Sequence, residues 1–137
     1  MKETPHIGDI VLVKAADGLP EQTGIVLRVR TRKDGYWTAA EMLIGGGVSW
    51  INKGQMLRIT GRPKGISRID QPSRRTHGWF VRVYEGKRTR VARLFSDQKH
   101  KGIGPALEAA LAFHRSEYDT VRNEQSLQTP QQTAVSG

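Results

Sequence analysis

The sequence predicts an all-β small barrel followed by an α+β domain, in which a three-stranded antiparallel sheet packs on one C-terminal helix. Three observations predict it. Residues 8–59 hold five short apolar runs parted by glycine-bearing turns, a spacing that suits a small closed barrel. Residues 65–95 hold three more strand-like runs, and the middle one alternates cleanly between apolar and exposed-type residues. An alanine-rich run, ALEAALAFHRSEY, follows with helical patterning. The expected boundaries are 1–60 for the barrel, 61–122 for the second domain and 123–137 for a polar tail.

The first barrel strand is Asp9 to Val13, followed by a loop from Ala16 to Gln22. Gly24 to Arg30 comes next and alternates toward its end. Trp37 to Ile44, Val48 to Ile51 and Met56 to Ile59 complete the set, with turns at Gly45-Gly46-Gly47 and Lys53-Gly54. Trp37 and Trp50 are expected at the core or rim. Arg28, Arg30, Arg32 and Lys33 lie close in sequence to Tyr36 and Trp37, and aromatics beside cations can stack single-stranded bases. Gly61-Arg62-Pro63-Lys64 interrupts both patterns and reads as a linker.

In the second domain the strands are Gly65 to Asp70, Gly78 to Tyr84 and Arg88 to Phe95, the last two joined through Glu85-Gly86-Lys87. Successive side chains of a strand point to opposite faces. Trp79, Val81 and Val83 therefore share one apolar face, and Phe80, Arg82 and Tyr84 share the other. By the same parity Thr89 and Val91 fall on one side of the third strand, and Arg88, Arg90 and Ala92 on the other. Gly104 is a candidate cap for the helix, and Pro105 suits its first turn. Alanines let this helix lie close to the apolar face, which leaves the arginine-bearing face open to water. Arginine suits an anionic partner there, because its planar fork binds phosphate, or guanine O6 and N7, through two hydrogen bonds.

The order GISR, GWFVRV, RTRVARLF, ALEAALAF resembles the apetala-2/ethylene-response-factor DNA-binding domain in its bacterial and phage-type form, over residues 64–121. That resemblance implies a sheet that lies in the DNA major groove. The family's glycine-containing first strand matches Gly65 to Arg68, its middle-strand aromatic matches Trp79, and its third-strand arginine matches Arg88. Arg82 stands where the family has a carboxylate and Arg90 where it has tryptophan, which makes the face more basic. Residues 8–59 also resemble small Src-homology-three-like barrels, some of them from phage, through G-D-I-V…G-I-V…W; this carries no activity.

The 137 residues carry a formal charge of +9, and it is unevenly spread. Residues 1–60 hold eight Lys/Arg against six Asp/Glu, residues 61–122 hold fourteen against six, and 123–137 hold one Glu. A basic surplus confined to one segment is the electrostatic footprint of a nucleic-acid binder. The chain has no cysteine, which excludes disulfides and thiolate metal sites. No run approaches the roughly 20 apolar residues of a membrane helix, and MKETPH lacks a signal-peptide apolar stretch. The four histidines show no metal-ligand spacing, and no phosphate-binding glycine loop or nucleophile elbow occurs. The tail NEQSLQTPQQTAVSG is expected to be disordered.

The expectation is a non-enzymatic protein without cofactor or metal that binds double-stranded DNA. It is a transcriptional regulator or an accessory protein of a phage or mobile element, located in the cytoplasm at the nucleoid. Arg68, Arg82, Arg88 and Arg90 are the candidates for base edges. Lys64, Arg74, Arg75, Lys87 and Arg93 are the candidates for DNA phosphates, and Trp79, Tyr84 and Trp37 for stacking. Two alternatives stand beside this: a binder of RNA or single strands, and a protein-interaction module with an acidic partner. The barrel is a candidate surface for a protein partner or for self-association.

Overall fold

The computed structural model describes residues 1–16, 18 and 20–128. Asp17 and Leu19 of the expected first loop, and residues 129–137 of the tail, lie outside that set. The chain divides into two compact units, one from Met1 to Arg68 and one from Ile69 onward.

The first unit is a five-stranded antiparallel sheet. Its strands are β1 (Ile10–Val13), β2 (Gln22–Thr31), β3 (Trp37–Ile44), β4 (Gly47–Asn52) and β5 (Met56–Gly61), in the order β4-β3-β2-β1-β5. A single 3₁₀ turn, Lys53–Gln55, precedes β5. Alternation places Val11 and Val13 of β1 on the buried side, where they meet Val26, Trp37, Ala40, Met42 and Met56. A register shift between Val26 and Arg28 in β2 interrupts strict alternation. A bulge leaves one residue unpaired, and the consecutive residues Val26 and Leu27 are both buried. Among the described residues of this unit, Asp9 is the buried charged one, at 4% exposure. Its carboxylate accepts from the His6 amide at 2.7 Å and from Arg62 Nε at 3.0 Å, which offsets the cost of burying a charge.

The second sheet has the order β6-β7-β8, from β6 (Ile66–Gln71), β7 (Thr76–Glu85) and β8 (Arg88–Ser96). β7 and β8 pair antiparallel across a two-residue loop, Gly86-Lys87, with Glu85 opposite Arg88. Gly86 takes φ 62°, which the turns that match strand twist require at the first loop position. A one-turn helix α1 (Asp97–His100) is capped by Ser96, whose hydroxyl accepts from the Lys99 amide at 3.1 Å. The long helix α2 runs from Ile103 to Gln128 and packs on β7 and β8.

The helix start differs from expectation. Gly104 lies inside the first turn, and Gly102, at φ 142°, precedes the helix and accepts from the Ala106 amide at 3.1 Å. Pro105 stays within that first turn, where a missing N–H costs nothing. The helix end differs as well. Residues 123–128, expected in the disordered tail, continue α2. Glu124 gives part of the reason, since its carboxylate bonds Arg90 of β8 at 2.9 Å.

Trp79, Val81 and Val83 are buried against α2, where Ala106, Leu107 and Ala110 are fully buried. Small side chains on that helical stripe let backbone and sheet approach, and Trp79 fills the end of the interface. Its indole Nε1 donates to the Ile103 carbonyl in the first turn of α2 at 3.0 Å, so the buried indole N–H has a partner and β7 is tied to the start of the helix. Gly78 fixes a second close approach. A Cβ there would sit 2.5 Å from the Phe95 carbonyl oxygen of β8.

Candidate nucleic-acid interface

The side of β7 away from α2 carries Phe80, Arg82 and Tyr84. Across the ladder Phe80 faces Leu94, Arg82 faces Ala92 and Tyr84 faces Thr89. Residues directly opposite in a sheet share a face, so these six define one open surface. Tyr84 is 52% and Leu94 38% exposed, and Arg82 is exposed with its guanidinium 5.0 Å from the centre of the Phe80 ring. No carboxylate of the described residues lies within ion-pair distance of Arg82. Its charge is therefore held over an aromatic ring, at low desolvation cost, and its fork remains available.

Arg90 departs from the expected face. Val83 pairs with Val91, but Tyr84 pairs with Thr89, so Arg90 is the extra residue of a β-bulge. The slip moves Thr89 to the open face and turns Arg90 toward α2. There its side chain, 24% exposed, meets Glu124 at 2.9 Å, Glu85 at 3.4 Å and Glu117 at 3.5 Å. The hydrogen bond that Arg90 donates to Glu124, ahead of those to Glu117 and Glu85, raises the guanidinium pKa above its ordinary value. Three carboxylates occupy the donors that a guanine edge would need.

Four further expectations change with side and burial. Trp79 is 1% exposed and Trp37 2% exposed, so neither offers a ring face for stacking. Trp37 is instead a core residue whose Nε1 donates to the Lys2 carbonyl at 3.3 Å. Arg93 pairs with Val81 in the ladder and so has the parity of the helix side. Its guanidinium lies 4.9 Å from the Phe95 ring and 5.3 Å from Phe113, capping an aromatic pair of the core edge. Arg88 stands opposite Glu85, the residue with the parity of Val83, and so it leaves the open face too.

The remaining candidates are placed as follows. Arg74 ends a 3₁₀ turn, Pro72–Arg74, and Arg75 follows in the left-handed conformation at φ 51°; both are exposed. Lys87 is exposed in the hairpin loop and Lys64 in the turn before β6. Arg68 is half-buried in β6. His77 is engaged with Asp70 at 2.8 Å, and Arg62, the other linker cation, is held by Asp9.

A second cluster of cations and rings occurs in the first unit. Trp50, expected at the core or rim, is 43% exposed, and the Arg30 guanidinium lies 4.5 Å from its ring centre. Tyr36 is 55% exposed, with Lys53 Nζ at 3.8 Å from its ring. The exposure of Trp50 was poorly marked in the sequence because Val48, Trp50 and Ile51 put apolar residues on both parities of β4. No protein-family model, curated protein or solved structure matches the chain. Among the described residues, no helix is long and apolar enough to cross a membrane.

Proposed function

We propose that the second unit binds double-stranded DNA, with the open face of the β6-β7-β8 sheet in the major groove and Arg82 as its base-reading residue. The observation that carries this reading is Arg82 itself: an exposed arginine in mid-strand, without a carboxylate partner among the described residues, on the side of a sheet whose other side is sealed by a helix. A guanidinium in that position can bond guanine O6 and N7 together. Arg74, Arg75 and Lys87 then serve the phosphates. Phosphate contacts position the sheet and carry no sequence information. Three strands followed by one packed helix, in this order, also support the likeness to the apetala-2/ethylene-response-factor type.

On this reading the chain is a DNA-binding regulator or mobile-element accessory protein, and no catalytic step is assigned to it. The five-stranded sheet is read as a small Src-homology-three-like barrel, which is supported by its strand order, its single apolar core and the 3₁₀ turn ahead of β5.

Selection of bound duplexes from a random pool, followed by titration of wild type and Arg82→Ala on selected and random duplexes, tests the proposal. Arg82→Ala is expected to lose about 5- to 150-fold on the selected duplex, the range of one bidentate base contact, and to change little on the random one. Equal losses on both would make Arg82 a phosphate contact. Failure to retain any duplex at about 50 mM salt, where counterion release favours binding, would end the DNA reading.

A further inference from the structure

The first unit carries a surface that the duplex reading does not use. In the ladder Arg28 pairs with Glu41, and Glu41 with Trp50, which sets a row across β2, β3 and β4. Arg30 stands two residues on in β2 and covers the Trp50 ring at 4.5 Å. At the end of the same hairpin, the turn from Arg32 to Tyr36 is tied by its own hydrogen bonds. The Arg32 amide donates to the Tyr36 carbonyl at 2.7 Å, the Gly35 amide to the Arg32 carbonyl at 2.9 Å, and the Tyr36 amide to Asp34 Oδ1 at 3.0 Å. Gly35 takes φ 87° to close it. Tyr36 is therefore presented on a fixed turn while more than half exposed. Lys53, from the 3₁₀ turn after β4, brings its ammonium to the same ring.

Two large rings thus stand in water, each with a cation on it. An isolated exposed ring needs no explanation. Two rings in one β2–β4 region, each paired with a cation that has no carboxylate partner among the described residues, form a pattern with a specific chemistry. Of the neighbouring basic groups, Arg28 is paired with Glu41 at 3.6 Å and Arg32 with Asp34 at 3.0 Å. Arg30 and Lys53, the two that lie on the rings, are left for a ligand's charge, and the exposed Lys33 of the same turn is left with them. Stacking surface plus phosphate-seeking cations is what an unpaired nucleic-acid strand offers partners for, since every base has a π-face and every linkage a negative charge. A duplex fits poorly, because its bases are already stacked. An acidic peptide would use the cations but leave the rings idle. The two nearby carboxylates are both committed to arginines, so none is free to accept from a ribose 2′-hydroxyl, the group that distinguishes RNA from DNA.

We propose that Trp50, Tyr36, Arg30 and Lys53 form a binding site for a single-stranded polynucleotide, which stacks bases on the two rings, neutralises phosphates with the two cations, and ignores the sugar. The site stands independently of the duplex-binding face.

Trp50 supplies its own reporter, because the other two tryptophans, Trp37 and Trp79, are buried. Full-length protein is titrated with oligo(dT) and oligo(rU) of about 12 nucleotides, within the usual span of such sites, at about 50 mM salt. Both strands are expected to quench tryptophan emission and to bind within about threefold of one another. Trp50→Ala should remove the quench and weaken binding about tenfold or more, and Trp50→Phe should keep the binding. Arg30→Gln with Lys53→Gln should flatten the salt slope by about 1.4, two single-strand phosphates' worth. Arg82→Ala should leave all of this unchanged, so the failure of one site is distinguishable from failure of the other. Thermal unfolding midpoints identify any variant that lowers affinity only by unfolding; Trp50→Phe then decides. The proposal is overturned by no binding of either strand, by quenching that survives Trp50→Ala, or by a tenfold preference for one sugar.

Discussion

β7 and β8 are paired neighbours, and each carries an arginine near the hairpin. Arg82 of β7 lies across a phenylalanine ring in water, whereas Arg90 of β8 lies among three carboxylates. The two side chains are chemically identical. What separates them is one unpaired residue in β8 and the acidic side chains that α2 brings over it. A count of arginines on a strand therefore overstates the charge available to a ligand. The useful quantity is the number of guanidinium groups left after the protein's own carboxylates have been served.

The contrast between the covered and the open side of the sheet can be broken most directly at Trp79. Trp79→Ala removes a buried indole and is expected to cost about 3–5 kcal/mol in chemical denaturation. Tyr84→Ala, on the open side, should stay within about 0.5 kcal/mol. A similar loss from both would mean that the open side is itself packed. Gly78→Ala sharpens the same contrast at the level of the backbone. A methyl group driven against the Phe95 carbonyl should cost about 1–3 kcal/mol by forcing the two strands apart; no change in unfolding midpoint would show that the ladder yields there freely. The smallest effect tests the two arginines against one another. Arg90→Gln should lower the denaturation midpoint, less so in high salt, and leave duplex affinity alone. Arg82→Gln should do the reverse. If Arg90→Gln instead lowered only DNA affinity, its carboxylate partners would be incidental.

Much of the β7 pattern was legible in the residues. Trp79, Val81 and Val83 alternate with Phe80, Arg82 and Tyr84, and one face is covered by the alanine stripe of α2 as side-chain period and helix periodicity require. β8 was not legible in the same way, because a bulge leaves no mark in RTRVARLF, and past it every assignment of side reverses. A hint was present in α2: Glu117 and Glu124 are two helical turns apart and so share a helix face, which makes an acidic stripe in want of a cation. The extent of α2 was missed for the same reason. NEQSLQ is polar and reads as tail by composition, although Glu124, Gln125, Leu127 and Gln128 are good helix formers, and the contact of Glu124 with Arg90 of β8 is one that composition does not reveal. In the first unit the five strands followed from apolar runs and glycine turns, but of Trp37 and Trp50, both expected at the core or rim, Trp37 alone is in the core. Trp37 leads a strand whose neighbours Ala39, Ala40 and Met42 are all buried, whereas β4 has apolar residues on both parities, so alternation could not choose.

Arg90 has one more consequence. It clasps Glu85 beside the hairpin loop to Glu117 and Glu124 in the distal half of the helix, so that two regions prone to fraying by themselves are latched together. Opening of one frees the other, and amide protons at the hairpin tip and in the last helical turns should exchange with solvent in concert.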